Sequence, residues 1–108
     1  MPEGRLHDKI ALVTGAGAGI GAGIANVLAR EGARVYASDV DAAASAQTAE
    51  TIRGAGGEAF DLALDVTKGQ DITAAFRRIE EEQGRLDVVV NNAGLNVRAD
   101  FRHLSDAD

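Results

Sequence analysis

Short apolar runs alternate with stripes of helical period along the whole chain. Lys9 to Thr14 is an apolar run bounded by glycine and reads as a buried strand. From Gly19 to Glu31, Ile20, Ile24, Val27 and Leu28 fall at i, i+4, i+7 and i+8, which predicts a helix with one apolar face. Gly32 is placed to take the left-handed conformation that ends it. Arg34 to Ser38 is a second strand, closed by Asp39. A second helix, Asp41 to Arg53, is alanine-rich with Ile52 as its one large anchor, and Gly54, Gly56 and Gly57 break it. Ala59 to Asp65, with Phe60, Leu62 and Leu64 in alternation, reads as the third strand. Thr67 is positioned to cap a third helix carrying Ile72, Ala75, Phe76 and Ile79, which Gly84 ends. Leu86 to Val90 is the fourth strand, and its run of three valines predicts burial on both faces, as in central parallel strands.

Strands alternating with helices through short connections predict an α/β fold with a parallel sheet, and right-handed crossovers restrict its layout. Nothing in the chain reads as a linker, an internal repeat or a low-complexity tract. The 108 residues leave room for one domain.

Composition narrows the chemistry. There is no cysteine, so neither a disulfide framework nor a thiolate metal site is available. His7 and His103 stand alone. The apolar stretches are too short to cross a bilayer, and the first residues lack a signal peptide's apolar region, so no membrane partner is expected and the location expected is cytoplasmic. A formal charge of −6 argues against nucleic acid as a partner, because a phosphate backbone demands a Lys/Arg excess. Glycine is the exception to an ordinary composition: five of the thirteen fall between Gly15 and Gly23.

That cluster lies between the first strand and the first helix. Gly15, Gly19 and Gly21 follow a G-x-x-x-G-x-G spacing, with Gly17 inside it. Glycine there permits a sharp turn, approach of a pyrophosphate to bare backbone, and close packing of helix on sheet. The helix N-terminus adds unpaired N–H groups and the positive end of its dipole. Asp39 ends the second strand, where a carboxylate accepts hydrogen bonds from the adenosine ribose and repels a 2′-phosphate. No Lys or Arg stands in the loop or between Val35 and Asp41, so NAD is favoured over NADP. The plainer role for Asp39 is a helix cap, a role open equally to Asp41.

These residues resemble the short-chain dehydrogenase/reductase family. Its T-G-x-x-x-G-x-G motif corresponds to Thr14–Gly21, its N-N-A-G to Asn91-Asn92-Ala93-Gly94, and its Asp-Val pair after the third strand to Asp65-Val66. The wording is nearest to members acting on alcohols and ketones, such as the oxoacyl-carrier-protein reductases and glucose dehydrogenases. The resemblance implies a Rossmann-like sheet with helices on both faces and its first four strands in the order 3-2-1-4. It implies hydride transfer between a nicotinamide and a carbonyl or hydroxyl carbon. Gly15, Gly17, Gly19, Ile20 and Gly21 would then hold the pyrophosphate side, Asp39 the ribose, and Asp65 and Val66 the adenine. Asn92, Ala93 and Gly94 would border the cofactor beside the fourth strand. Asn91 either joins them or ties neighbouring strands.

The family's chemistry uses a Tyr-x-x-x-Lys pair with a serine before it. The one tyrosine, Tyr36, has Val40 four residues on and reads as a packing residue. No catalytic residue is therefore assigned. Leu104 to Asp108 resembles a helix start, with Ser105 as N-cap, so the expectation is a truncated architecture: residues 1–108 as a partial NAD(P)-binding Rossmann domain. A fourth strand left at the edge would invite self-association or a complementary chain. The cofactor-binding part of an oxidoreductase, a non-catalytic dinucleotide-binding or partner-binding module, and a fragment binding nothing all remain open at this point.

Overall fold

The computed structural model describes residues 4–92. Seven elements follow in order: β1 (Ile10–Thr14), α1 (Gly19–Arg30), β2 (Arg34–Asp39), α2 (Ala42–Gly54), β3 (Glu58–Ala63), α3 (Gly69–Gln83) and β4 (Val88–Asn91). The strands are parallel and lie in the order β3-β2-β1-β4, as expected. Leu12 stands opposite Tyr36 on one side and Val89 on the other, and Tyr36 stands opposite Phe60.

Period-two alternation sends each strand's side chains to two cores. On one face Ala11, Val13, Val35, Ala37 and Ala59 meet Ala25 of α1 and Ala49 and Ile52 of α2. On the other, Ile10, Leu12 and Tyr36 meet Ile79 of α3, with Phe60, Leu62 and Leu86 packed around them. The first face is built of small residues, so α1 and α2 sit close to the sheet. Ile52 is fully buried, as the sequence suggests, but its neighbours on the packing face of α2 include Ser45 and Thr48.

Close approach corrects the expected stripe on α1. Its fully buried positions are Gly21 and Ala25; Ile24 and Leu28 pack partly at the flank, while Ile20 and Val27 face out, 76% and 51% exposed. The smallest side chains mark the line of nearest contact, because only they let the helix axis drop onto the sheet. The helix ends at Gly32, which takes the expected positive φ, at 101°.

Asp41, not Asp39, caps α2, its Oδ1 accepting from the amides of Ala43 (3.1 Å) and Ala44 (3.2 Å). The expected Thr67 cap is not formed. The residue preceding α3 is Lys68, without a side-chain cap bond, and the Thr67 hydroxyl instead donates to Asp65 Oδ1 at 2.6 Å. Ala75 and Ile79 bury the inner face of α3, and Gly84 ends it at φ 79°. The third strand is shorter than expected, and Leu64 is buried beyond its end. Val88 to Val90 are half-buried rather than enclosed, because among the described residues β4 pairs with β1 alone. The expected helix start at Leu104–Asp108 lies outside the described residues.

Candidate functional site

Parallel strands bring the β1–α1 turn, the end of β2, the β3–α3 turn and the end of β4 to one end of the sheet. In the β1–α1 turn, Gly19 has φ 59°, and a Cβ there would meet nothing within 4 Å. A left-handed residue facing open space is what close backbone approach by a ligand requires. Gly21 is needed for the opposite reason. A Cβ on it would overlap the Gly15 carbonyl oxygen and come 2.7 Å from Asn92 Nδ2. Helix α1 begins after Ala18, which makes no side-chain cap bond to its first-turn N–H groups.

Three side chains hold the loop from different elements. Asp39 Oδ2 accepts from the Gly17 amide at 2.8 Å. Asn92 Nδ2 donates to the Gly15 carbonyl at 3.2 Å. Thr48, reaching across from α2, donates to the Ala16 carbonyl at 2.8 Å. The Ala16 amide itself donates to the Ser38 carbonyl, which ties the turn to the end of β2.

Asp39 is half-buried, and its Oδ1 accepts from the Asp41 amide at 3.0 Å. Its carbonyl takes the Leu64 amide at 3.0 Å, which sets Asp65 and Val66 just beyond the paired ends of β2 and β3. Asp65 accepts from both the hydroxyl and the amide of Thr67, and these bonds, the hydroxyl first, hold its carboxyl below the usual carboxylate range. Val66 turns toward the α3 side. It lines a cavity of about 230 Å³ with Leu12, Thr14, Phe76, Val89 and Asn91. Asn91 is exposed and accepts from the Thr14 hydroxyl at 3.1 Å, so it ties β4 to β1, the second of the two roles left open for it.

The structure thus gathers Gly15, Gly17, Gly19, Ile20, Gly21, Asp39 and Asn92 at one loop, while Asp65 and Val66 follow the end of β3, whose Ala63 stands opposite Asp39, with Val66 on the α3 side. Ala93 and Gly94 lie outside the described residues. Thr48 and Val40 escape sequence reasoning. Thr48 betrays itself by being polar on the packing face of α2, four residues before Ile52. Val40 is an apolar residue directly after the strand-ending acid, and the structure leaves it 71% exposed. Tyr36 is far from this arrangement in chemistry: its ring is buried and stacked on Phe60, and its hydroxyl donates to Glu82 Oε1. Among the described residues no three His, Cys, Asp or Glu side chains are grouped to hold a metal. No helix among them is long and apolar enough to cross a membrane.

A parallel sheet of this order, with a glycine turn at the head of α1 and an acid closing β2, is Rossmann-like. A family model described as short chain dehydrogenase matches residues 9–108, and the chain belongs to that family. It is 47% identical over 92 residues to cyclopentanol dehydrogenase of Comamonas, covering 85% of this chain and 37% of that protein. It is 42% identical over 100 residues to the probable oxidoreductase EphD of Mycobacterium tuberculosis, covering 93% of this chain and 17% of that protein. A solved metagenomic short-chain oxidoreductase in complex with NADP superposes with a TM-score of 0.80 at 41% identity, over 83% of this chain and 41% of that one. The chain therefore spans less than half the length of these relatives.

Proposed function

We propose that this chain forms the dinucleotide-binding part of an oxidoreductase that moves hydride between a nicotinamide cofactor and an alcohol or ketone, and that its cofactor is NAD(H). The observation that carries the reading is the glycine loop itself. It combines a left-handed Gly19 facing open space, a helix start without a side-chain cap, and three side chains that hold the loop's shape from outside. This arrangement suits a pyrophosphate, whose oxygens need N–H donors and close access to backbone. When bound, the nicotinamide accepts or supplies the hydride; the residues of this chain bind and orient it.

Gly15, Gly17, Gly19, Ile20 and Gly21 take the pyrophosphate side. Asp39 accepts from the adenosine ribose, Asp65 and Val66 border the adenine, and Asn92, Ala93 and Gly94 border the cofactor along β4. Val40 adds an exposed apolar surface beside Asp39 for the adenine. Support for NAD over NADP comes from Asp39. Each of its oxygens accepts one backbone N–H and keeps lone-pair capacity for a ribose hydroxyl, while its charge opposes a 2′-phosphate. The NADP-bound relative keeps the alternative alive, so the choice is the point to test.

Calorimetric titration with NADH and NADPH tests the reading. Saturable binding is expected, with NADH the tighter ligand. Asp39→Ala should weaken NADH about tenfold, the scale of a lost charge-assisted hydrogen bond, and should relax the discrimination. No saturable binding at millimolar dinucleotide would overturn the proposal; unchanged affinities in Asp39→Ala would overturn the role of Asp39.

A further inference from the structure

The Asp39 carboxylate is tied at both oxygens, Oδ2 to the Gly17 amide at 2.8 Å and Oδ1 to the Asp41 amide at 3.0 Å. The first bond crosses from β2 to the glycine loop and sets where the negative charge points. The space around it is tight. A Cβ on residue 17 would stand 2.8 Å from Asp39 Oδ2 and 2.5 Å from Ala44 Cβ. Ala44 cannot easily retreat, because its amide is bound by Asp41 in the first turn of α2. Rotating the Asp39 side chain would relieve only the contact to its Oδ2, so the loop at residue 17 must also shift off Ala44, drawing its N–H away from the carboxylate and breaking the bond that aims it.

We propose that Gly17 is a second determinant of cofactor choice, a positioning residue acting through Asp39: its N–H aims the carboxylate, and its missing side chain leaves the carboxylate room to stay. The inference rests on the reading of Asp39 as the ribose acceptor. A carboxylate that recognises two ribose hydroxyls and rejects a phosphate must be held in one place, since both effects fall steeply with distance and direction. Adding a methyl group at residue 17 leaves every charge unchanged and still removes the aim.

The test measures NADH and NADPH affinities of the full chain for wild type, Gly17→Ala, Asp39→Ala, Asp39→Asn and Gly23→Ala. Hydrogen exchange of the residue-17 amide is followed by NMR without dinucleotide. Gly17→Ala should weaken NADH about tenfold, with a smaller loss for NADPH, so that the preference narrows. Gly23→Ala, whose Cβ would meet nothing within 4 Å, should leave both affinities at wild type. The Gly17 amide should exchange slowly in wild type, faster in Asp39→Asn, where one oxygen serves two N–H groups, and fastest in Asp39→Ala.

A wild-type NADH-to-NADPH ratio in Gly17→Ala would overturn the proposal, as would an exchange rate indifferent to Asp39→Ala. Should Gly17→Ala fail to fold, the exchange series in the Asp39 variants still decides whether the Gly17 amide is held by the carboxylate. If wild type bound neither dinucleotide, the ribose reading and the discrimination would fall together, while the exchange series would decide separately whether the Gly17–Asp39 contact holds.

Discussion

The two ends of the sheet differ in what their polar groups are doing. At the end where the strands begin lies the larger cavity, about 580 Å³, lined by residues that include His7, Asn26, Arg30, Gly32, Ile52 and Glu58. Polar groups at the starts of the strands are bonded to one another. Arg34 donates to Glu58 and to Gln83, both at 3.0 Å, and Asp87 accepts from the Ile10 amide at 2.9 Å. The carbonyls that close α1 and α2 take amides from the turns that follow, Ala33 onto Leu28 and Gly57 onto Ile52. At the other end the cavity is smaller, yet the first turn of α1 has no side-chain cap and the loop before it is held open by its neighbours. The proposed site is thus set apart by an uncapped helix start rather than by the size of its cavity.

The difference between the two ends should collapse first at Gly21. Gly21→Ala places a methyl group where the Gly15 carbonyl already is. It should cost about 3 kcal/mol of stability, the upper range for overpacking, and abolish NADH binding. Chemical denaturation and the NADH titration check the two halves; a variant as stable as wild type with intact binding would mean that the loop does not pack as described.

A smaller effect is expected away from the loop. Tyr36→Phe removes the hydroxyl that donates to Glu82 and accepts from Gln83, joining β2 to the last turn of α3. The loss should be about 1 kcal/mol of stability, with NADH affinity unchanged. The effect carries a pH signature. Glu82 is held below the usual carboxylate range, first by the Tyr36 hydroxyl and then by Arg78. A carboxyl depressed in the folded state stabilises above its unfolded pKa, and that contribution fades as pH falls through the folded value. The gap between wild type and Tyr36→Phe should therefore narrow in acid, below the ordinary glutamate range. Denaturant melts across that range check it; a constant gap would show that the bond to ionised Glu82 contributes nothing.

Legibility in the sequence follows the physics of each element. Strand order and helix placement are readable because apolar runs and glycine breaks report burial directly, and β1, with all five residues buried, is the clearest case. The packing line of α1 is not, because large apolar residues dominate a periodicity count, whereas Gly21 and Ala25 make the nearest contact. The cap of α3 misleads because Thr67 is equally suited to a turn on Asp65, two residues away. At the candidate site, the glycine spacing and Asp39 are visible as a pattern. The bond from Gly17 to Asp39 spans 22 residues and the bond from Thr48 to Ala16 spans 32, so neither leaves a local signal.

The proposed dinucleotide site lies at the end of the sheet where the strands finish, and amide chemical-shift mapping with NADH reads that location residue by residue. Saturable shifts are expected at Gly15, Gly17, Gly19, Gly21, Asp39 and Asp65, with Gly32, Gly56 and Glu58 around the larger cavity unmoved. Shifts concentrated on Gly32, Gly56 and Glu58, or none at all, would place the ligand elsewhere or nowhere and contradict the proposed site.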